Sequence, residues 1–413
     1  MEKSSKDIKK DIYNKPNLMD RKTPWTGSLD FPETDNISNN PKNINAGDLI
    51  VWKGVPLSQG YLRSIDEDAR DEIAKDLLNF FLKYDFINDY KYSDKELQSA
   101  WNRLIQNKSM IKEADGTKIL VNVGTTGYKL YRHFFPNIIK TRGANRNSIY
   151  DVLTDKELLW KVLRNRIGNT LLYGGEENKD LGYLQFPMPI TPSQITIGAK
   201  NSGLASMGSI YKPLVAKTIY QQYVKEDSVV LDYSCGFGTR LIGLMACGFK
   251  NVKYIGYEPN TETYNNLITM SKYFGFNVDI KCCGSEDEVF IDKVDFAFSS
   301  PPYYDAEIYC NEASQSINKF PEYNDWLNGY WRKTVQNIKF MLKDDGMFGI
   351  NVGGMANEKM QKLEQDVAKI IEEEGFKLID TIYMKTSKSH LSAKKGNDEK
   401  KFKLESTFFY RKE

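Results

Sequence analysis

The second half of the chain predicts an α/β domain built on an open, mostly parallel sheet, and three observations carry that prediction. Apolar stretches at 228–233, 254–258, 278–283, 294–299 and 347–352 alternate with segments of helical periodicity. The first stretch runs into a glycine turn, Ser234-Cys235-Gly236-Phe237-Gly238. The fourth ends on Ser300-Pro301-Pro302-Tyr303. Ligands of such sheets bind beyond the carboxyl ends of the strands, where the strand order reverses. Both motifs would emerge there. Stretches at 376–384 and 405–410 complete a seven-stranded sheet.

The chain has 413 residues, enough for two or three domains. Its composition, 40% apolar and 13% aromatic, supports real cores. A formal charge of +2, from 57 basic and 55 acidic side chains, neither demands nor excludes nucleic acid, so any basic surface must be local. The five cysteines, Cys235, Cys247, Cys282, Cys283 and Cys310, are odd in number and form no CxxC pair. That pattern argues against a disulfide framework or zinc cluster and for a reducing, cytoplasmic setting. With only His133 and His390, metal or triad chemistry based on histidine has little to work with, and no metal site is expected. No apolar run approaches a membrane span, and the polar start is not a signal peptide.

Three regions are expected. Residues 1–45 are rich in Lys, Asn, Asp and Ser and read as a flexible or loosely docked arm. Residues 46–190 read as a mixed, mainly helical N-terminal module and a candidate for substrate recognition. Helical periodicity runs over 64–86, Ser93-x-x-Glu96 is a capping box, Asp115-Gly116 signals a hairpin, and Thr154-x-x-Glu157 caps a further helix. Pro187, Pro189 and Pro192 mark a linker. The α/β domain then occupies 191–413. No internal repeat is present.

The two motifs suit one chemistry. Glycines let a backbone turn tightly and approach a ligand without a Cβ in the way. Glu258, ending the second strand, can accept both hydroxyl hydrogens of a ribose. The third strand ends near Ser285, where an adenine ring would lie. Two prolines fix φ and donate no hydrogen. Their carbonyls and the Ser300 hydroxyl can accept both hydrogens of an exocyclic amine, and Tyr303 can stack on the base that bears it. The work is positioning and preorganisation, with no obligatory strong base.

Over 193–411 the chain resembles the S-adenosylmethionine-dependent DNA methyltransferases that modify the exocyclic amine of cytosine or adenine. Three passages carry the likeness: Gly208-Ser209-Ile210-Tyr211-Lys212-Pro213 followed by Asp227-Ser228-Val229-Val230-Leu231-Asp232, Ser300-Pro301-Pro302-Tyr303, and Leu342-Lys343-Asp344-Asp345-Gly346. The text after the catalytic motif is similar to phage-borne members. The resemblance implies a Rossmann-like methyltransferase fold with S-adenosylmethionine as cofactor. It implies that Asp232, Ser234, Gly236, Gly238, Thr239, Glu258 and Ser285 bind the donor, and that Ser300, Pro301, Pro302 and Tyr303 are catalytic. Serine in the first motif position leans toward cytosine N4, where adenine enzymes usually carry aspartate or asparagine. Two positions depart from the family: Ser234 stands where an aromatic is usual, and Phe237 where a small residue is.

Further substrate contacts fall to Asp305 beside the motif, to Arg142 and Arg146 in a glycine- and asparagine-rich loop, to Arg164 on the helix after Thr154, and to Lys394 and Lys395 between the last strands. Each also reads as an ordinary solvated or turn-capping residue. The expected partner is DNA, its target base flipped out of the duplex. RNA with the same chemistry is the alternative, and a non-catalytic nucleic-acid-binding module on a degenerate methyltransferase fold is a third reading. Trp326, Tyr330 and Trp331 read as core, and Cys235 and Cys310 as small apolar fillers.

Overall fold

The computed structural model describes residues 28–143, 146–168, 187–353, 358–386 and 403–413. These fall into two compact units, each assembled from two segments. One contains residues up to 89 together with 139–207; the other contains 90–138 together with 208–413. The segment 90–138, expected in the N-terminal module, therefore packs with the sheet.

The described part of the first unit is helical. The periodicity over 64–86 resolves into helices Gln59–Ser64 and Glu67–Phe81, separated where the Asp66 side chain accepts from the Ala69 N–H and caps the second. The helix expected to start at Thr154 is Lys156–Ile167, and its cap is Asp155, which accepts from the Leu158 N–H at 2.9 Å. Residues 28–45 are tied in: Thr34 and Asn36 donate to the buried Asp76 carboxylate at 2.7 and 3.0 Å. The proline-marked stretch is tied in as well. Ile190 exchanges backbone hydrogen bonds with Ile50 and Leu57, and Pro192 opens helix Pro192–Asn201.

The second unit is a nine-stranded sheet among the described residues. In chain order the strands are β1 (Met110–Ala114), β2 (Thr117–Val121), β3 (Val229–Asp232), β4 (Lys253–Tyr257), β5 (Val278–Lys281), β6 (Val294–Ser299), β7 (Leu342–Val352), β8 (Phe376–Thr386) and β9 (Lys403–Lys412). Their spatial order is β1-β2-β8-β9-β7-β6-β3-β4-β5. Strands β3 to β7 are mutually parallel, and β9 runs antiparallel between β7 and β8. This is the doubly wound arrangement with a reversed final strand: a Rossmann-like methyltransferase fold. The order reverses between β3 and β6, the strands that carry the two motifs. The Asp115-Gly116 turn has positive φ at both residues, as a tight hairpin requires. Its hairpin, β1–β2, extends the sheet by pairing with β8.

Helices cover both faces. On one, Trp326, Tyr330, Trp331, Val335 and Ile338 pack over Phe348, Ile350 and Leu231. The turns carrying the three aromatics, Trp326–Arg332, are π-helical, a widening common at functional sites. On the other face the buried Lys217 of helix Pro213–Tyr223 donates to the carbonyls of Leu104, Ile105 and Asn107. It thereby satisfies the free end of helix Asp94–Gln106. The Ser93–Glu96 capping box begins that helix as expected. His133 is structural: its Nδ1 accepts the Tyr92 N–H at 3.0 Å. His390, Lys394 and Lys395 lie outside the described residues.

Candidate active site

A cavity of about 390 Å³ opens at the carboxyl ends of β3, β4 and β6. Ser234, Gly236, Thr239, Glu258, Ser285, Ser300, Pro301, Pro302 and Tyr303 all line it. The glycine turn and the proline shelf therefore share one chamber. The reason is a single buried carboxylate. Asp232, at the end of β3 and 0% exposed, accepts Arg240 Nε at 2.8 Å and a second guanidinium nitrogen at 3.1 Å. It also accepts the Tyr254 hydroxyl at 2.8 Å and the Ser299 hydroxyl at 2.7 Å. Ser299 immediately precedes the Ser300-Pro301-Pro302-Tyr303 motif. Asp232 thus ties β3, the following helix Thr239–Met245, β4 and β6 to one point. It does not itself line the chamber.

Gly238 is also not a lining residue. It caps helix Thr239–Met245 at φ 62°, and a Cβ there would lie 2.8 Å from Phe135 and from Met270. The glycine is needed for packing against the 90–138 segment. Phe135 meets Phe237 edge-on, and Asn137 donates to Thr263 at 2.8 Å, so that segment supports the turn from beneath. Gly236 has a positive φ of 53°, and a Cβ there would meet only the Ser234 carbonyl, at 3.9 Å.

Glu258 is buried. Its two oxygens accept the N–H groups of Gly236 and Asn260 at 2.8 and 2.9 Å. Burial pushes its carboxyl up to about 7, against the pull of those two N–H donors. The Ser285 hydroxyl shares a hydrogen bond with Thr334 at 2.8 Å. Ser234 bonds both the Tyr233 carbonyl and the Tyr330 hydroxyl. An aromatic therefore reaches this corner from the π-helical turns rather than from the glycine loop. The Gln315 side-chain nitrogen is buried in the lining with no hydrogen-bond partner among the described residues, so a ligand polar atom fits there.

On the shelf, Ser300 Oγ and the Tyr303 hydroxyl are 3.2 Å apart, and Tyr303 also reaches Asn351 at 3.5 Å. Burial raises the Tyr303 hydroxyl well above its ordinary range, which keeps it a neutral phenol. Cys235 is a buried thiol whose pKa burial also raises, consistent with a filler. Sequence reasoning missed Tyr309, Gln315, Tyr330, Asn351 and Glu405 in the lining. Each is brought in by long-range packing; an acid near the start of the strand beside β7 is the one local signal available for Glu405.

The remaining candidates lie elsewhere. Asp305 is not in the lining and pairs with Lys359 at 2.6 Å. In the first unit, Arg164 is buried rather than on a solvated face. It is ion-paired with Asp71 and its guanidinium is 5.3 Å from the Trp160 ring. Arg142 is half-buried and Arg146 exposed. Among the described residues no cluster could hold a metal ion, and no helix is long and apolar enough to cross a membrane.

Residues 294–412 match the DNA methylase family of the N6 and N4 type. The match begins at β6, contains the whole shelf and runs to the end of β9. Together with the fold, this match supports S-adenosylmethionine-dependent methyltransferase activity. No curated protein matches the chain. Among solved structures, it is similar to a methyltransferase from Pyrococcus furiosus, with 16% identity over 49% of this chain and 84% of that one, at a TM-score of 0.33. Aeropyrum pernix fibrillarin with natively bound S-adenosyl-L-methionine is 13% identical over 48% and 73%, at 0.31. An S-adenosylmethionine-dependent O-methyltransferase from Thermotoga maritima is 17% identical over 50% and 67%, at 0.33.

Proposed function

We propose that the chain methylates the exocyclic amine of a base flipped out of DNA, cytosine N4 in preference to adenine N6. The observation that carries this reading is the common chamber: Ser234, Gly236 and Glu258 face the same space as Ser300, Pro301 and Tyr303. S-adenosylmethionine, when bound, supplies a methyl group on a sulfonium, a good leaving group. Ser234, Gly236, Thr239, Glu258 and Ser285 would hold it, with Gln315 supplying a further donor. Ser300 Oγ and the Pro301 carbonyl accept the two amine hydrogens, which draws the nitrogen toward a tetrahedral shape and frees its lone pair. The Tyr303 ring supports the base face, and its hydroxyl sets the direction of Ser300. A stacked amine cannot reach this chamber, so the base must leave the duplex. Ser300 in the first motif position favours cytosine.

The test is transfer of tritiated methyl to duplex DNA and to RNA, followed by nucleoside analysis. N4-methylcytosine in DNA is the expected product. N6-methyladenine would overturn the base preference, and label in RNA alone would overturn the DNA assignment.

Glu258 makes donor binding pH-dependent. Its folded-state pKa, about 7, stands above the ordinary carboxylate value, so the empty protein gains stability from the protonated form and loses it as pH rises through 7. Ribose hydroxyls need the ionised acceptor, so donor affinity runs the other way. Between pH 6 and pH 8 the dissociation constant measured by calorimetry is expected to fall about tenfold, following the ionised fraction. Glu258→Gln should bind weakly with a flat profile. A wild-type constant that does not change with pH would remove Glu258 from the donor site.

A further inference from the structure

A second cavity, of about 190 Å³, adjoins the first at Tyr303. Tyr303 and Met360 line both cavities; Tyr304, Tyr323, Lys359 and Lys362 complete the walls that matter here. Tyr304 and Tyr323 meet edge to face with centroids 5.1 Å apart. Lys359 Nζ lies 6.0 Å from the Tyr304 centroid and Lys362 Nζ 5.5 Å from that of Tyr323. Asp305, the acid beside the motif, holds Lys359 from outside the cavity. The Tyr323 hydroxyl donates to Asp366 at 2.8 Å, which fixes its ring.

Tyr304 adopts φ 52°, a left-handed conformation that bulky residues rarely take and that stores backbone strain. Its hydroxyl donates to the Pro321 carbonyl and its ring packs 5.8 Å from Trp326, so the conformation is over-determined. The motif therefore puts two consecutive tyrosines to use, Tyr303 in the lining of both cavities and Tyr304 in that of the second alone.

We infer that this second cavity receives the nucleotide next to the flipped base on the same strand. The inference rests on the base-methylation reading above. If the target base lies against one side of Tyr303, the chain that carries it must continue past that ring. The second cavity offers aromatic surface for one base and two ammonium groups in its lining for the phosphate, the combination that binds single-stranded nucleic acid. Its volume suits one planar ring system. Occupancy here makes the identity of the neighbouring base part of substrate choice, because stacking strength differs among bases. Asp305 is a positioning residue that aligns Lys359.

The test uses the full chain and a pool of duplexes randomised at the positions flanking a central target, with methylated products sequenced. Wild type should show a base preference at one adjacent position. Tyr323→Ala should flatten that preference and raise KM about tenfold with kcat within twofold. Tyr323→Phe, which keeps the ring but loses its tie to Asp366, should retain the base preference and raise KM less than Tyr323→Ala does. Lys362→Ala, at an exposed position, should weaken binding of fluorescein-labelled duplex evenly across sequences and lower the salt slope of binding by about one. Donor affinity by calorimetry should be the same in all four proteins. An unaltered neighbour preference and KM in Tyr323→Ala, or an unaltered salt slope in Lys362→Ala, overturns the inference. A wild-type chain that transfers no methyl to any duplex overturns the base-methylation reading beneath it instead.

Discussion

Asp232→Ala is expected to destabilise the protein by about 3–5 kcal/mol, because it strands the Arg240 guanidinium in the interior without its counter-charge. For a unit of this size that is a fall of roughly 10 °C in the unfolding midpoint. Donor binding should disappear with it, since the same carboxylate holds the glycine turn, through Arg240, and the end of β6, through Ser299. Thermal unfolding and donor calorimetry measure the two effects. The double variant Asp232→Ala, Arg240→Met should recover part of the lost stability, because the uncompensated charge is gone. It should not recover donor binding, because the tie to Ser299 stays broken. A double variant no more stable than the single one would show that Arg240 is solvated in the single variant and that the ion pair is not the source of the loss.

Ser300→Ala should lower kcat about a hundredfold while donor affinity stays within twofold of wild type, the pattern of a group whose interaction matters mainly in the transition state. Tyr303→Ala should do at least as much damage, since it removes the ring that backs the base and the hydroxyl 3.2 Å from Ser300 Oγ. Tyr303→Phe separates the two contributions. It keeps the ring and should lose only about tenfold, the part owed to orienting Ser300. Tritiated methyl transfer at saturating donor gives kcat, and calorimetry gives the donor constant. Full activity in Ser300→Ala would mean that backbone carbonyls alone prepare the amine.

The strands of the α/β domain were legible because buried parallel strands are short apolar runs and because two of them end in unusual chemistry. Two helix starts were legible to within a residue: Ser93 caps as expected, while Thr154, whose hydroxyl donates back to the Tyr150 carbonyl, yields to Asp155, whose carboxylate accepts the Leu158 N–H. What escaped was everything decided by distant packing. Met110–Ala114 and Thr117–Val121 announce a hairpin, but nothing in them names Phe376–Thr386 as the strand they join. Arg164 has the periodicity of an outward residue, yet Asp71 draws it inward. Asp232 and Gly238 stand where donor ligands are expected, and their contacts prove to be internal: one organises the strand ends, the other makes room for Phe135. Ser300, Pro301, Pro302 and Tyr303 line the cavity together because they are consecutive in one motif.

The path of the backbone between the two units carries a practical consequence. It passes from one to the other three times, after residues 89, 138 and 207. A fragment begun at 191 would contain every recognisable methylase motif and still lack Phe135, Asn137 and the two strands that cover β8. Its bare sheet margin would invite self-association. Truncation for crystallography or domain swapping should therefore keep 90–138. A split protein supplying that peptide in trans would report directly on how much of the donor loop's order it provides.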